Sequence, residues 1–427
     1  MKKLLFSLLA AALLPLTGAT VYRNVTRLEP GKSLLITANA TAFQSYWTLN
    51  PEARAEVDFG TAAQRVREMV AESVRSSLLA DVPLGVFLSG GLDSTIIAAV
   101  ASQVESAEPL RCFSIGFNDP AYDESRQAER NAEYLRKRAR RKIEFYHKVV
   151  QPEDFASLEF LLSRCGEPYG DSSILPTYLL CKFAREKVTV ALSGDGADEL
   201  FGGYPWFRDP QIRSRYGFPW AQTSAYRRTF IRDEILQGQD GEDYVSFWYQ
   251  KSIDATDCVE GIDADERRLR EMVRLNMKWF MQTLLDRKDR MSMYASLEVR
   301  VPFCDVRLAS YLYSIPWEMK DYRGYEKGLL REAVKGLLPD EVLWRKKSPY
   351  PKTWHPRYRQ TVSAMMREVL ADPGAPLFDV VRRKRVEELL DEERSIPWYG
   401  QLMTTPQTIA YLLQLDHWLR HYHVQIV

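Results

Sequence analysis

Residues 84–100 read Leu-Gly-Val-Phe-Leu-Ser-Gly-Gly-Leu-Asp-Ser-Thr-Ile-Ile-Ala-Ala-Val: an apolar run, a polar turn, then a second apolar run rich in small residues. Few folds accept that order. Residues 86–88 suit a buried parallel strand, Gly90 and Gly91 let bare backbone approach a ligand, and Thr95 onward can open a helix whose positive end faces an anion. The pattern is that of a phosphate loop. Ser89 and Ser94 add hydroxyl donors, and Asp93 offers a carboxylate to a metal ion. A Walker loop would carry a lysine, and no lysine lies between Asp81 and Gln103, which argues against γ-phosphate hydrolysis. On its own the string is equally compatible with an ordinary strand-to-helix turn.

The 427 residues suffice for two or three domains, and 58 Lys and Arg against 57 Asp and Glu leave a net charge of +1. No global field selects nucleic acid or an acidic membrane. The one concentrated basic run, Arg136-Lys137-Arg138-Ala139-Arg140-Arg141-Lys142, lacks interleaved aromatics and reads as the solvated end of a helix. Five scattered cysteines (Cys112, Cys165, Cys181, Cys258 and Cys304) form no Cys-x-x-Cys pair and read as reduced thiols. Lys2 and Lys3, the apolar residues 4–16 and Thr17-Gly18-Ala19 satisfy a secretory-signal pattern. A site that uses ATP and an odd set of cysteines favour the cytoplasm instead. No other stretch approaches the ~18 apolar residues of a membrane span.

Along the chain, residues 21–47 alternate around Pro30-Gly31 as a short hairpin, and 51–60 read as a linker. Val66, Val70, Val74 and Leu78 recur at the spacing of one helix face within 61–79. Residues 112–117, 143–150 and 188–192 are further strand candidates separated by helical periodicity. The expected fold is therefore α/β, a doubly wound parallel sheet that binds ligands at the carboxyl ends of its strands. After Ile231 the pattern is mostly helical, and a helical C-terminal layer over that sheet edge is expected.

A second loop repeats the first. Residues 188–192 lead into Ser193-Gly194-Asp195-Gly196-Ala197-Asp198-Glu199 and then Gly202-Gly203-Tyr204, a turn able to approach a nucleotide, with Asp195 nearest the strand end. Asp198 and Glu199 equally suit a helix N-terminus. A third stretch carries Asp286-Arg287-Lys288-Asp289-Arg290, Glu298 with Arg300 as a structural ion pair, Glu326-Lys327, and Trp344-Arg345-Lys346-Lys347. Lys347 could supply from a distant segment the charge that the first loop lacks. A solvated lysine in a basic run is the competing reading.

Together the strings at 87–94, 113–117, 192–204, 297–305 and 344–347 resemble the synthetase domain of class-B, glutamine-dependent asparagine synthetases, over nearly the whole chain. The resemblance implies an ATP-pyrophosphatase-type (adenine nucleotide α-hydrolase-like) domain at 61–427. It also implies a linker at 51–60 and, at 1–50, only the C-terminal end of a glutaminase domain, since no cysteine stands at position 2. It further implies a cytoplasmic ligase using ATP and Mg²⁺, in which aspartate is adenylated to β-aspartyl-AMP and ammonia displaces AMP. By similarity Leu88, Ser89, Gly90, Gly91, Asp93, Ser94, Ile115, Ser193 and Gly194 bind the nucleotide, Asp93 holds the metal, and Asp195 and Lys347 are catalytic. Expected partners are aspartate, ATP, ammonia from salts or from glutamine, and a glutaminase chain or a second copy, with no nucleic acid or membrane. Amidation of another carboxylate and an inactive nucleotide-binding remnant are the alternatives.

Overall fold

In the computed structural model the described residues are 20–50, 54–116, 124–151, 154, 161, 163–164, 166–168, 173–221, 224–236, 241–254, 259–346, 356–394 and 404–426. Residues 1–19 with the secretory-signal pattern, Cys165, Cys258 and Lys347 lie outside them.

Among the described residues seven strands fall into two sheets. β1 (Lys32–Ile36) and β2 (Thr41–Ser45) form an antiparallel hairpin. β3 (Leu84–Phe87), β4 (Leu110–Gly116), β5 (Ile143–Val149), β6 (Val190–Leu192) and β7 (Glu298–Arg300) form a wholly parallel sheet in the order β5-β4-β3-β6-β7. Within each central strand neighbouring residues point to opposite faces. Val86, Cys112 and Leu192 enter one apolar core with the helices Phe59–Ser77, Leu92–Ser102 and Ser125–Arg136. Phe87, Phe113 and Ala191 enter another with Cys181 and Ala184 of the helix Ile174–Arg185. Both faces are covered, so the expected doubly wound sheet is what the chain forms.

The helix Phe59–Ser77 buries Val66, Val70 and Val74 as their spacing requires, and starts two residues early because the Asp58 carboxylate caps the Thr61 N–H. The hairpin exists, but its turn is not at Pro30-Gly31. The chain reverses at 37–40, where the Thr37 hydroxyl accepts from the Ala40 N–H, while the Gly31 carbonyl accepts from Tyr46 and closes the open end. The basic run ends the helix Ser125–Arg136 as expected. Arg141 donates to the Glu108 carbonyl, Lys142 pairs with Glu144 at 2.7 Å, and Arg138 lies over the Tyr134 ring.

Two features of the second half add to what the sequence leads one to expect. β7 adds a fifth strand that three residues with charged ends could not announce. Glu298 and Arg300 are the ion pair expected there, at 2.7 Å. The expected helical C-terminal part is present, and its helices divide between two cores. Those at Ala264–Leu275, Val306–Ser314 and Gly328–Ala333 contribute to the sheet core, whereas Pro356–Ala371, Arg383–Asp391 and Thr405–His421 build a core of their own with Phe230 and Ile231. Cys112 and Cys181 are buried free thiols, pushed up to about 12 by burial. No helix among the described residues is long and apolar enough to cross a membrane.

Candidate active site

The strand order fixes where the site lies. From β3 the chain moves outward to β4 and β5, then returns to the other side of β3 as β6, so the loops after β3 and β6 meet at the reversal. They meet closely. A Cβ at Gly194 would lie 2.9 Å from the Ser94 backbone nitrogen and 3.1 Å from the Asp93 Cβ, so that position admits no side chain without a shift.

The first loop is held by its own groups. Ser94 Oγ accepts from the Ser89 N–H at 3.1 Å and lies 2.9 Å from Ser89 Oγ, which accepts from the Gly91 N–H at 3.1 Å. Thr95 Oγ1 donates to the Gly91 carbonyl at 2.7 Å and accepts from Asn131 Nδ2 at 3.0 Å, fixing the start of the helix Leu92–Ser102. The two hydroxyls therefore shape the turn as well as facing its mouth. Leu88 is buried with its N–H on the Phe113 carbonyl, and Ile115 sits half-buried near the end of β4.

In the second loop Ser193 Oγ donates to Asp195 Oδ2, and Lys288 Nζ bonds both groups. Arg287 places Nη2 3.9 Å from Asp195 Oδ1 and donates from Nη1 to Ser173 Oγ at 2.6 Å. Burial alone would raise the Asp195 carboxyl; Lys288 and Arg287 outweigh it and hold the group below its ordinary value. Both cations come from the helix Gln282–Tyr294. Sequence reading quoted that charged run without assigning it a task. The available signal was a lysine and an arginine within an otherwise half-buried helix, where charge is costly unless paired.

Between the loops stands Lys327, which sequence reading also passed over. Its Nζ lies 2.7 and 2.6 Å from Asp93 Oδ1 and Oδ2 and 2.7 Å from Asp198 Oδ1. Burial would lower this amine, but Asp198 and Asp93 prevail and hold it above the ordinary lysine value. Asp198 thus belongs with Asp93 rather than serving only a helix end. Glu199 is buried and accepts from the Tyr204 hydroxyl, a structural role.

The Gly202-Gly203 pair serves packing instead of nucleotide approach. Gly202 ends the helix Ala197–Phe201 at φ +70° against Trp317, and a Cβ at Gly203 would overlap Asp198 Oδ1 and Lys327 Cε. Gly203→Ala is therefore expected to cost about 3 kcal/mol, the upper range for overpacking, read as a lower urea midpoint; an unchanged midpoint would contradict this placement.

Lys347 itself is outside the described residues, but the segment leading to it is tied down. Arg345 donates to the Gly90 carbonyl at 2.9 Å and pairs with Glu124 at 2.8 Å, while the buried Arg331 donates to the carbonyls of Glu326 and Leu343. Among the described residues no group of three or more His, Cys, Asp or Glu could hold a metal ion. Asp93 and Asp198 supply two carboxylates.

Comparison with known proteins identifies the family. The asparagine synthase family model matches residues 65–420. Asparagine synthetase (glutamine-hydrolysing) 3 of Bacillus subtilis is 37% identical over 423 residues, covering 96% of this chain and 68% of that protein. Asparagine synthetase (glutamine-hydrolysing) 1 of the same organism is 27% identical over 406 residues, covering 88% of this chain and 62% of that protein. The chain thus spans about two thirds of the length of these relatives. With the family model matched across both loops and the segments bearing Lys288, Lys327 and Arg345, the chain belongs to the asparagine synthase family.

Proposed function

We propose that this chain adenylates the side-chain carboxylate of aspartate and amidates it. A carboxylate oxygen attacks the α-phosphorus of ATP, the bond to the bridging oxygen breaks, and pyrophosphate leaves; ammonia then attacks the acyl carbon of β-aspartyl-AMP, and AMP leaves. The observation that carries the reading is the meeting of the two loops at the sheet's reversal, with Gly194 against Ser94 and Asp93 facing Asp198. Leu88, Ile115, Ser193 and Gly194 line the nucleotide, and Ser89, Gly90, Gly91 and Ser94 hold the departing pyrophosphate at the helix N-terminus. Asp195, kept ionised by Lys288 and Arg287, positions the reacting groups for adenylation. Lys347, two positions beyond Arg345 in the sequence, is assigned to neutralise charge developing on the phosphates.

Two carboxylates are what Mg²⁺ needs when phosphate oxygens and water complete its shell, so Asp93 and Asp198 fit it. When bound it would neutralise charge on the pyrophosphate as the leaving group departs.

Residues 1–50 are read as the C-terminal end of a glutaminase domain, 51–60 as a linker and 61–427 as the synthetase domain, working in the cytoplasm. The synthetase site takes ammonia as its nitrogen donor. The test incubates the purified chain with Mg-ATP and aspartate, scoring pyrophosphate and asparagine with ammonium chloride or glutamine as the nitrogen source. Release that requires aspartate, with asparagine formed at raised pH from ammonium and none from glutamine, is expected. Equal rates with glutamine would overturn the ammonia dependence. Release with another carboxylate alone would overturn the substrate, and nucleotide binding without release would leave a remnant.

A further inference from the structure

Lys327 has a setting that its pairing alone does not explain. Its backbone is left-handed at φ +57°, uncommon for a residue with a side chain, and it opens the short helix Gly328–Ala333. The next residue, Gly328, is pressed against the Tyr322 backbone, with a Cβ there only 2.6 Å from Tyr322 N and O. The root of the lysine is thus fixed, and only its side chain can move. That side chain is 4% exposed, while the carboxylates it bridges are 21% (Asp93) and 16% (Asp198) exposed. The amine is thus more deeply buried than either carboxylate. Both Asp93 oxygens accept from it and Asp198 Oδ1 forms an ion pair with it at 2.7 Å, so the ammonium sits on the carboxylate oxygens a cation would share.

We propose that Lys327 is the built-in counter-ion of this site in its ligand-free state: it holds Asp93 and Asp198 together and keeps a lone divalent cation out. A divalent ion enters only with a polyphosphate, whose oxygens take over the ammonium as the carboxylates turn to the metal. The site is then charge-balanced before and after binding, and two buried-edge carboxylates are never left facing each other unpaired. The inference rests on the proposed phosphate and metal reading of the loops.

Mn²⁺ retained per chain in equilibrium dialysis tests it without turnover. The wild-type chain alone is expected to leave Mn²⁺ free, and to take up about one ion per chain once pyrophosphate is added. Lys327→Met should bind Mn²⁺ without pyrophosphate at least about ten-fold more tightly than the wild type, and the further change Asp198→Asn should abolish that binding. Lys327→Gln serves the same comparison if the methionine variant does not fold. The proposal is overturned if the wild type alone binds Mn²⁺ at a site lost in Asp198→Asn, or if neither Lys327 variant gains affinity. Should the Mn²⁺ pattern hold while aspartate-dependent pyrophosphate release fails, the counter-ion role stands and the reading of the reaction falls.

Discussion

Lys288→Met is expected to lower pyrophosphate release by about a hundred-fold or more and to cost about 3 kcal/mol of stability at neutral pH, because it strips the nearest cation from a half-buried carboxylate. Arg287 remains, but at 3.9 Å and already donating to Ser173. Burial then prevails over the remaining charge, and the Asp195 carboxyl rises toward protonation. The pH dependence follows from the sign of that shift. In the wild type the folded value lies below the unfolded value of about 3.9, so the contribution to stability is complete above that value and is lost as pH falls through the folded one. In the variant the shift is reversed, and stability is lost as pH rises instead. The gap between the two proteins in urea unfolding should therefore be widest at neutral pH and close below about pH 4. Lys288→Arg, which keeps the charge, should recover most of both losses. A methionine variant with wild-type release and no pH-dependent gap would remove Asp195 and its clamp from the active site.

The two loops were legible because each packs its information locally: strand, small residues, carboxylate and helix start fall within about a dozen positions, and periodicity then placed them on one parallel sheet. The cations that serve them were not. Lys288 is 93 positions from Asp195 and Lys327 is 234 from Asp93, and nothing in Glu326-Lys327-Gly328 distinguishes a buried lysine from a solvated one. Only the tertiary fold brings Lys327 between Asp93 and Asp198. The same distance hid β7, whose three residues pair with β6 in register Val190 to Glu298 yet show no alternating pattern of their own. The hairpin turn was misplaced for a local reason. Pro30-Gly31 is a strong turn signal, but it closes the open end of the hairpin, while a Thr37 side-chain bond makes the reversal without glycine or proline.

Asp93→Asn should separate chemistry from folding more sharply than any other single change. The amide keeps the size and one acceptor oxygen of the carboxylate, and Lys327 still has Asp198 at 2.7 Å. Loss of one charge-assisted bond among several should cost roughly 1–2 kcal/mol, visible as a modest fall in the urea midpoint. Pyrophosphate release should fall by about a thousand-fold or more, because the site loses half of the carboxylate pair proposed to carry the metal to the departing phosphates. Asp198→Asn should behave alike if the two act as one site. The opposite division, a badly destabilised protein whose folded fraction turns over normally, would show that Asp93 serves only to anchor Lys327. In that case the metal must be held elsewhere, and the first loop would contribute its backbone and hydroxyls to the phosphates without its carboxylate.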